Sequence, residues 1–181
     1  MPRQVFQLRV TLDGVVPEVW RRVLVPGGYT LDRVHRVFQH AMGWSNYHLH
    51  SFDIAGTQYG EPDPDNDLGL VDELDTRLDA VIRVGDTFRY TYDYGDWWEH
   101  TVTAEAVWPA DPDERYPVCL EGERACPPED IGGAYGYGRL VAALRDEDHP
   151  EHAEMMAWFG RGIRPDAFEP ELVTTLLRRM S

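Results

Sequence analysis

The chain has 181 residues, with 32 Asp plus Glu against 17 Lys plus Arg, so its formal net charge is −15 at pH 7. Every basic residue is an arginine, and the lack of lysine excludes a Schiff-base lysine and a phosphate-binding Gly-Lys-Ser/Thr loop. A hydrophobic fraction of 43% predicts a packed core, and the length predicts one domain over residues 1–181. Without a signal sequence or an apolar run of about 18 residues, we expect a cytoplasmic protein with no membrane partner.

The acidic residues are distributed unevenly. Residues 1–40 hold six arginines against three acids, whereas residues 61–79 hold eight acids against one arginine. Two prolines predict that Glu61 to Asp67, within the second stretch, is a loop. A phosphate backbone requires clustered positive charge, so the sequence argues against autonomous nucleic-acid binding. An acidic module that binds a basic protein partner is one alternative.

Alternating apolar residues predict that the chain opens with a hairpin. Its strands are Gln4 to Asp13 and Val19 to Val25, joined through an Asp13-Gly14 turn. Thr30 is the predicted N-cap of a helix that ends at Gly43. The apolar face of this helix carries Leu31, Val34, His35, Phe38 and Met42.

A third strand is predicted over Tyr47 to Ala55. It places His48 and His50 on one face, because residues two apart on a strand point the same way. Short extended pieces are predicted near Leu68 to Leu74 and Leu78 to Val84.

Phe88 to Val107 is predicted to be a β-hairpin with a two-residue type II′ turn at Gly95-Asp96. In this register Asp93 opposes Trp98, and Asp93 and His100 are diagonal neighbours on one face. The other face carries an aromatic ladder, which favours a core surface over a platform for stacking nucleic-acid bases. The ladder consists of Phe88, Tyr90, Tyr92, Tyr94 and Trp97.

Residues 119–133 combine turn-forming residues with no periodicity, and helices are predicted after them. These run from Gly138 to Arg145, from Pro150 to Phe159 and from about Pro170 to Met180. The predicted fold class is therefore α+β, with a mainly antiparallel sheet, one N-terminal helix and a helical C-terminal third.

Histidines and acids near the central strands are the candidates for chemistry. A divalent metal is the cofactor hypothesis, because imidazole and carboxylate are common ligands of such ions. Its candidate ligands are His48, His50, Asp93 and His100. The candidate catalytic residues are Asp93, Asp96, His100, Glu129 and Asp130.

The structural alternative is that these histidines pack within the sheet and that the aspartates cap the turn. No strong metal motif such as His-Glu-x-x-His is present, and no cofactor-binding loop is recognised. Cys119 and Cys126 are predicted to be free thiols, with a disulfide or soft metal ligation as alternatives.

Several motifs together resemble the plasmid pRiA4b ORF-3-like family over about residues 4–178. The first group is Val19-Trp20-Arg21-Arg22-Val23, His48-Leu49-His50-x-Phe52 and Tyr92-Asp93-Tyr94-Gly95-Asp96-x-Trp98-x-His100. The second is Tyr116-Pro117-x-Cys119-x-x-Gly122, Pro127-Pro128-Glu129-Asp130-x-Gly132-Gly133, Gly136-Tyr137, His149-Pro150-Glu151-His152 and Trp158.

This resemblance implies an α+β fold and, through insertion-sequence passenger proteins of the TnpR type, a link to mobile elements. It implies no catalytic residues. A mobile-element-associated binding or accessory module is the leading hypothesis, and a metal-dependent hydrolase or nuclease is the alternative beside the acidic interaction module. A serine recombinase is disfavoured, because neither an arginine-rich site around a serine nor a basic DNA-binding region is visible.

Overall fold

The computed structural model describes residues 3–62, 69–159 and 162–180. Within these ranges the chain forms one eight-stranded sheet together with five helices. The strands are β1 Gln4–Leu12, β2 Val19–Pro26, β3 His50–Ile54, β4 Thr57–Gly60, β5 Val71–Asp72, β6 Thr87–Tyr92, β7 Trp98–Pro109 and β8 Val118–Glu123. Their order across the sheet is β5-β4-β3-β6-β7-β1-β2-β8. The helices are α1 Leu31–Met42, α2 Leu78–Val81, α3 Gly133–Arg145, α4 His152–Phe159 and α5 Pro170–Leu177.

The β1–β2 hairpin is confirmed, and β1 lies between β2 and β7 in the middle of the sheet. Its alternate residues Phe6, Leu8, Val10 and Leu12 are all buried, as a strand with one core-facing side requires. The predicted helix is also confirmed as α1, which contacts β2 and α5. Gly43 ends α1 in the left-handed region at φ 96°, where its amide donates to the Gln39 carbonyl.

The predicted fold class is wrong. The sheet is mixed rather than mainly antiparallel, and the described residues form five small helices rather than one N-terminal helix and a helical C-terminal third. β4 and β5 are parallel, with Tyr59 opposite Val71. Leu78–Val81 is a short helix where an extended segment was expected, and Val118–Glu123 is a strand where turns were expected. These pieces are too short to carry a readable period, so long-range pairing decides their conformation. The loop predicted from Glu61 to Asp67 lies largely outside the described residues.

The hairpin of β6 and β7 forms, but its register differs from the prediction by one residue. Tyr92 opposes Trp98 and Tyr90 opposes His100, because residues 93–97 form a five-residue connection. A shift of one residue moves a side chain to the other face of a sheet. Trp98 and His100 therefore join Tyr90 and Tyr92 in the core instead of sharing a face with Asp93.

Helix α3 begins at Gly133, inside the segment that was expected to be an irregular loop. A Cβ at Gly136 would lie 1.8 Å from the Ile131 carbonyl oxygen, so the first turn requires glycine there. Gly138 has no atom within 4 Å of its Cβ position. None of the described helices is long and apolar enough to cross a bilayer.

These two glycines give a matched test of the packing around the start of α3. Gly136→Ala is expected to destabilise the protein by about 1–3 kcal/mol, because the added methyl meets backbone that cannot move aside easily. Gly138→Ala is expected to stabilise it by up to about 1 kcal/mol through helix propensity. Chemical denaturation measures both, and equal effects would contradict this account of the helix start.

Candidate functional site

The connection between β6 and β7 places Asp93 next to the start of β3, the strand that pairs with β6. Asp93 has a φ of 59°, and its carbonyl accepts a hydrogen bond of 2.6 Å from the Trp97 amide. Its Oδ1 accepts from the amides of Gly95 and Asp96 at 2.8 and 3.3 Å. These bonds hold the buried carboxylate in place and leave Oδ2 for another partner.

Asp96 joins this turn to the start of α3. Both of its carboxylate oxygens lie 3.1 Å from the Gly132 amide, which donates to them immediately before the helix. A carboxylate at a helix N-terminus is stabilised by the free amides and the helix dipole. This contact brings Asp130, two residues before Gly132 in the chain, next to the Asp93 turn.

His48, Asp93 and Asp130 converge. The Nε2 of His48 lies 3.6 Å from Asp93 Oδ2 and 3.3 Å from Asp130 Oδ1, and one ligand atom from each of the three residues lies within 4.8 Å of the others. This Nε2 is buried and has no hydrogen-bond partner. Asp93 is buried, whereas the Asp130 side chain is 77% exposed. The cluster is therefore accessible from solvent through Asp130.

Two of these three residues have backbone conformations that most residues avoid. Asp93 and Asp130 have φ angles of 59° and 58°, in the left-handed region. Asn46, close by in the cleft described below, also has a φ of 59°. Asp and Asn tolerate this region best among the non-glycine residues, yet it still costs free energy. Strain of this kind concentrates at functional sites.

Glu129 supports the site without joining it. Its Oε1 accepts a 2.6 Å hydrogen bond from the Tyr92 hydroxyl, and its Oε2 accepts from the Ser45 amide at 3.0 Å. Burial, and then the Glu129 carboxylate, raise the pKa of Tyr92, so this phenol remains a donor. Trp44 Nε1 donates to the Pro127 carbonyl at 3.0 Å. The segment that carries Asp130 is thereby fastened to the residues after α1.

His50, the first residue of β3, belongs to a second cluster together with Glu73 and His35. Its Nε2 lies 2.8 Å from Glu73 Oε2, a buried carboxylate, and its ring stacks on His35 with centroids 3.4 Å apart. His50 is therefore paired with Glu73 and is not brought to Asp93.

Burial holds His35 neutral within a chain of hydrogen bonds. Gln39 Nε2 donates to the Tyr90 hydroxyl at 2.9 Å, and that hydroxyl lies 2.7 Å from His35 Nδ1. His35 Nε2 lies 2.5 Å from Asn46 Oδ1, so the proton belongs on Nε2 and Nδ1 accepts from Tyr90. Burial, followed by the neighbouring His50, lowers the pKa of His35 to about 3.

His100 lies in the core, away from the cluster. It is fully buried beside Tyr90 and Trp44, with Nδ1 3.2 Å from the Tyr90 carbonyl oxygen and no hydrogen-bond partner for Nε2. Burial lowers the pKa of His100 to about 4.

Of the predicted ligands, the structure thus brings His48 and Asp93 together and adds Asp130 from the catalytic candidates. His50 and His100 lie elsewhere. Asp96 accepts from a backbone amide and Glu129 accepts from the Tyr92 hydroxyl, so neither joins the cluster.

Both cysteines are free thiols. Burial raises the pKa of Cys119 to about 11 and that of Cys126 to about 12, so neither is an activated thiol.

Sequence reasoning did not select His35 or Glu73 as site residues. His35 carried a signal, because a histidine on the apolar face of a predicted helix requires a buried partner. Glu73 carried none, since it is one acid among many in residues 61–79.

His48 and the His35–His50 pair line one cleft of about 690 Å³. Its walls include residues of α1, the segment before β3 and the segment after β5, and its volume suits a small organic ligand. The lining residues are Asp32, His35, Arg36, Asn46, Tyr47, His48, Leu49, His50, Glu61, Pro62, Leu70, Glu73, Leu74 and Tyr94.

The chain belongs to the plasmid pRiA4b ORF-3-like protein family, whose model matches residues 4–172. It is 43% identical over 164 residues to the uncharacterized protein y4hQ of Sinorhizobium fredii (strain NBRC 101917 / NGR234), covering 88% of this chain and 83% of that protein. It is also similar to the crystal structure of MM3350, a protein of unknown function from Methanosarcina mazei Go1. That match has a TM-score of 0.87 and 33% identity, and covers 94% of this chain and 98% of the other.

The two buried histidines predict a pH-dependent stability. An unfolded histidine takes up a proton near pH 6.5, whereas native His35 and His100 stay neutral down to pH of about 3 and 4. The unfolded state therefore binds more protons between these values, and the free energy of unfolding decreases as the pH falls below about 6.5. Each histidine contributes a slope that approaches about 1.4 kcal/mol per pH unit.

Urea denaturation between about pH 5 and 6.5, where most carboxylates remain ionised, measures this slope. His100→Leu is expected to remove about half of it, whatever its effect on the absolute stability. An unchanged slope in His100→Leu would show that His100 is not neutral in the native protein.

Proposed function

We propose that this protein is a binding module that holds one divalent metal ion, Zn²⁺ or Mn²⁺, through His48, Asp93 and Asp130. The main support is the position of His48 Nε2, which is buried and has no hydrogen-bond partner. It lies 3.6 Å from Asp93 Oδ2 and 3.3 Å from Asp130 Oδ1. Ligands bound to one tetrahedral zinc ion at about 2.1 Å are roughly 3.4 Å from each other. Both distances from His48 Nε2 match this spacing, and all three atoms lie within 4.8 Å of one another.

A structural His–Asp hydrogen bond explains the same contacts less well. Such a bond has a length of about 2.7–3.2 Å, shorter than either distance at His48. One neutral imidazole and two carboxylates also balance the charge of a divalent ion, which would relieve the burial of Asp93. With only three protein ligands and Asp130 exposed, coordination positions would remain for a ligand of the module.

Zn²⁺ or Mn²⁺ titration tests this proposal directly. Zn²⁺ at about 100 times its dissociation constant is expected to stabilise the protein by about 2.7 kcal/mol, read as a rise in melting temperature. Asp130→Ala is expected to lose more than the ten- to hundredfold in affinity that removal of a supporting group costs. Because the Asp130 side chain is exposed, this variant loses no core packing and is expected to fold, although alanine at a φ of 58° costs about 1–2 kcal/mol.

Asp148→Ala is the matched control, since Asp148 is also exposed but lies in the segment between α3 and α4. It is expected to bind Zn²⁺ as the wild type does. Stoichiometric binding that survives Asp130→Ala unchanged, or no thermal shift with either metal, would refute the proposed centre.

A metal-dependent hydrolase is the second candidate. The observation that favours it is a set of three protein ligands with open positions, the arrangement in which a metal lowers the pKa of bound water. Zn²⁺-dependent hydrolysis of p-nitrophenyl acetate that is absent in Asp130→Ala would support it, and equal rates in both proteins would exclude this centre.

From the family resemblance we also propose an accessory role in mobile elements. In this role the protein would not contact DNA directly. A net charge of −15 supports that restriction. The two free cysteines support a cytoplasmic location, because reducing compartments keep thiols free.

A further inference from the structure

We infer that the cleft beside the metal centre takes a small ligand with an apolar, preferably aromatic, body and one metal-binding head group. This inference rests on the proposed function and names the ligand class of that site. Two features carry it: an exposed apolar rim around His48, and the lack of surplus positive charge among the described residues of the cleft.

The rim consists of large apolar side chains that the fold leaves in water. Tyr47 and Leu49 flank His48 in the chain and are 82% and 64% exposed, because His48 between them turns towards the acids. Tyr94 directly follows Asp93 and lines the same cleft, and the Trp97 ring lies 5.6 Å from it with 57% of the residue exposed. Contiguous exposed apolar surface on a monomer marks a binding site more often than chance.

The rim and two of the three proposed metal ligands come from the same short segments. Residues 47–49 and 93–97 each supply a metal ligand and at least two of these apolar side chains. A ligand whose head binds the metal would therefore have its body within reach of aromatic rings. Flat aromatic groups gain stacking as well as hydrophobic free energy on such surfaces.

The charges of the cleft favour a head group with no more than one negative charge. His48, Asp93, Asp130 and a divalent ion would together be neutral. Arg36 is the one arginine among the described lining residues, and it lies 3.7 Å from Asp32. Glu73 is paired with His50, and Glu61 adds further negative charge. A polyphosphate would find no complementary cation on these residues, whereas a neutral or singly charged chelating group needs none.

Calorimetry with Zn²⁺-loaded protein tests the ligand class, using benzohydroxamate, acetohydroxamate and decathymidylate as probes. Benzohydroxamate is expected to bind at least tenfold more tightly than acetohydroxamate, since the head groups match and only the body differs. Decathymidylate is expected not to bind. Tyr47→Ala combined with Leu49→Ala removes two exposed side chains that line the cleft. The double variant is expected to reduce the preference to less than threefold while Zn²⁺ affinity stays unchanged.

Trp158→Ala is the control for loss of an exposed aromatic side chain, because Trp158 is 76% exposed on α4 and does not line the cleft. It is expected to keep the full preference. Equal affinities for the two hydroxamates, tight binding of decathymidylate, or a preference that survives the double variant would each overturn the inference. Failure of Zn²⁺ to bind the wild type would instead refute the metal centre, and the Zn²⁺ titration alone distinguishes that result.

Discussion

The five-residue connection from Asp93 to Trp97 is the constraint on which the rest of the structure depends. Its length sets Tyr90 opposite His100 and Tyr92 opposite Trp98, so four large side chains enter the core together. A two-residue turn would move half of them to the opposite face. The same connection leaves Asp93 outside the paired residues of β6 and β7. There, backbone amides hold its Oδ1 and its Oδ2 faces His48. Core packing and site geometry thus share one local conformation.

Two hydrogen-bond systems, one buried and one partly exposed, then fasten the helices to this hairpin. Tyr90 binds Gln39 and contacts His35, which ties α1 to β6. Tyr92 binds Glu129, and Asp96 binds Gly132, which together bring the segment before α3 over the turn. Buried polar groups are costly unless paired, so these contacts specify one arrangement of the helices. The second of these systems places Asp130 next to the Asp93 turn and near His48.

The overall charge and the local charge of the site lead to different conclusions. The chain is strongly acidic, yet the proposed centre would be neutral once a divalent ion is bound, and exposed apolar side chains lie beside it. The acidity therefore bears on solubility and on the exclusion of polyanions more than on ligand recognition. The similar crystal structure is that of a protein of unknown function, so the chemistry of the site, and not the fold, has to identify the ligand.

Sequence by itself determined the family, the β1–β2 hairpin, helix α1 and the residue types from which a site could be built, because periodicity and motif order are local properties. It also placed His48 and Asp93 among the candidates. Only tertiary structure decided the hairpin register, the parallel β4–β5 pair, the strand at 118–123 and the partners of each histidine. His100 entered the core and His50 turned to Glu73, which no local pattern indicates. Long-range pairing decides these features, since a one-residue difference in a turn or a contact over 37 residues leaves no trace in local periodicity.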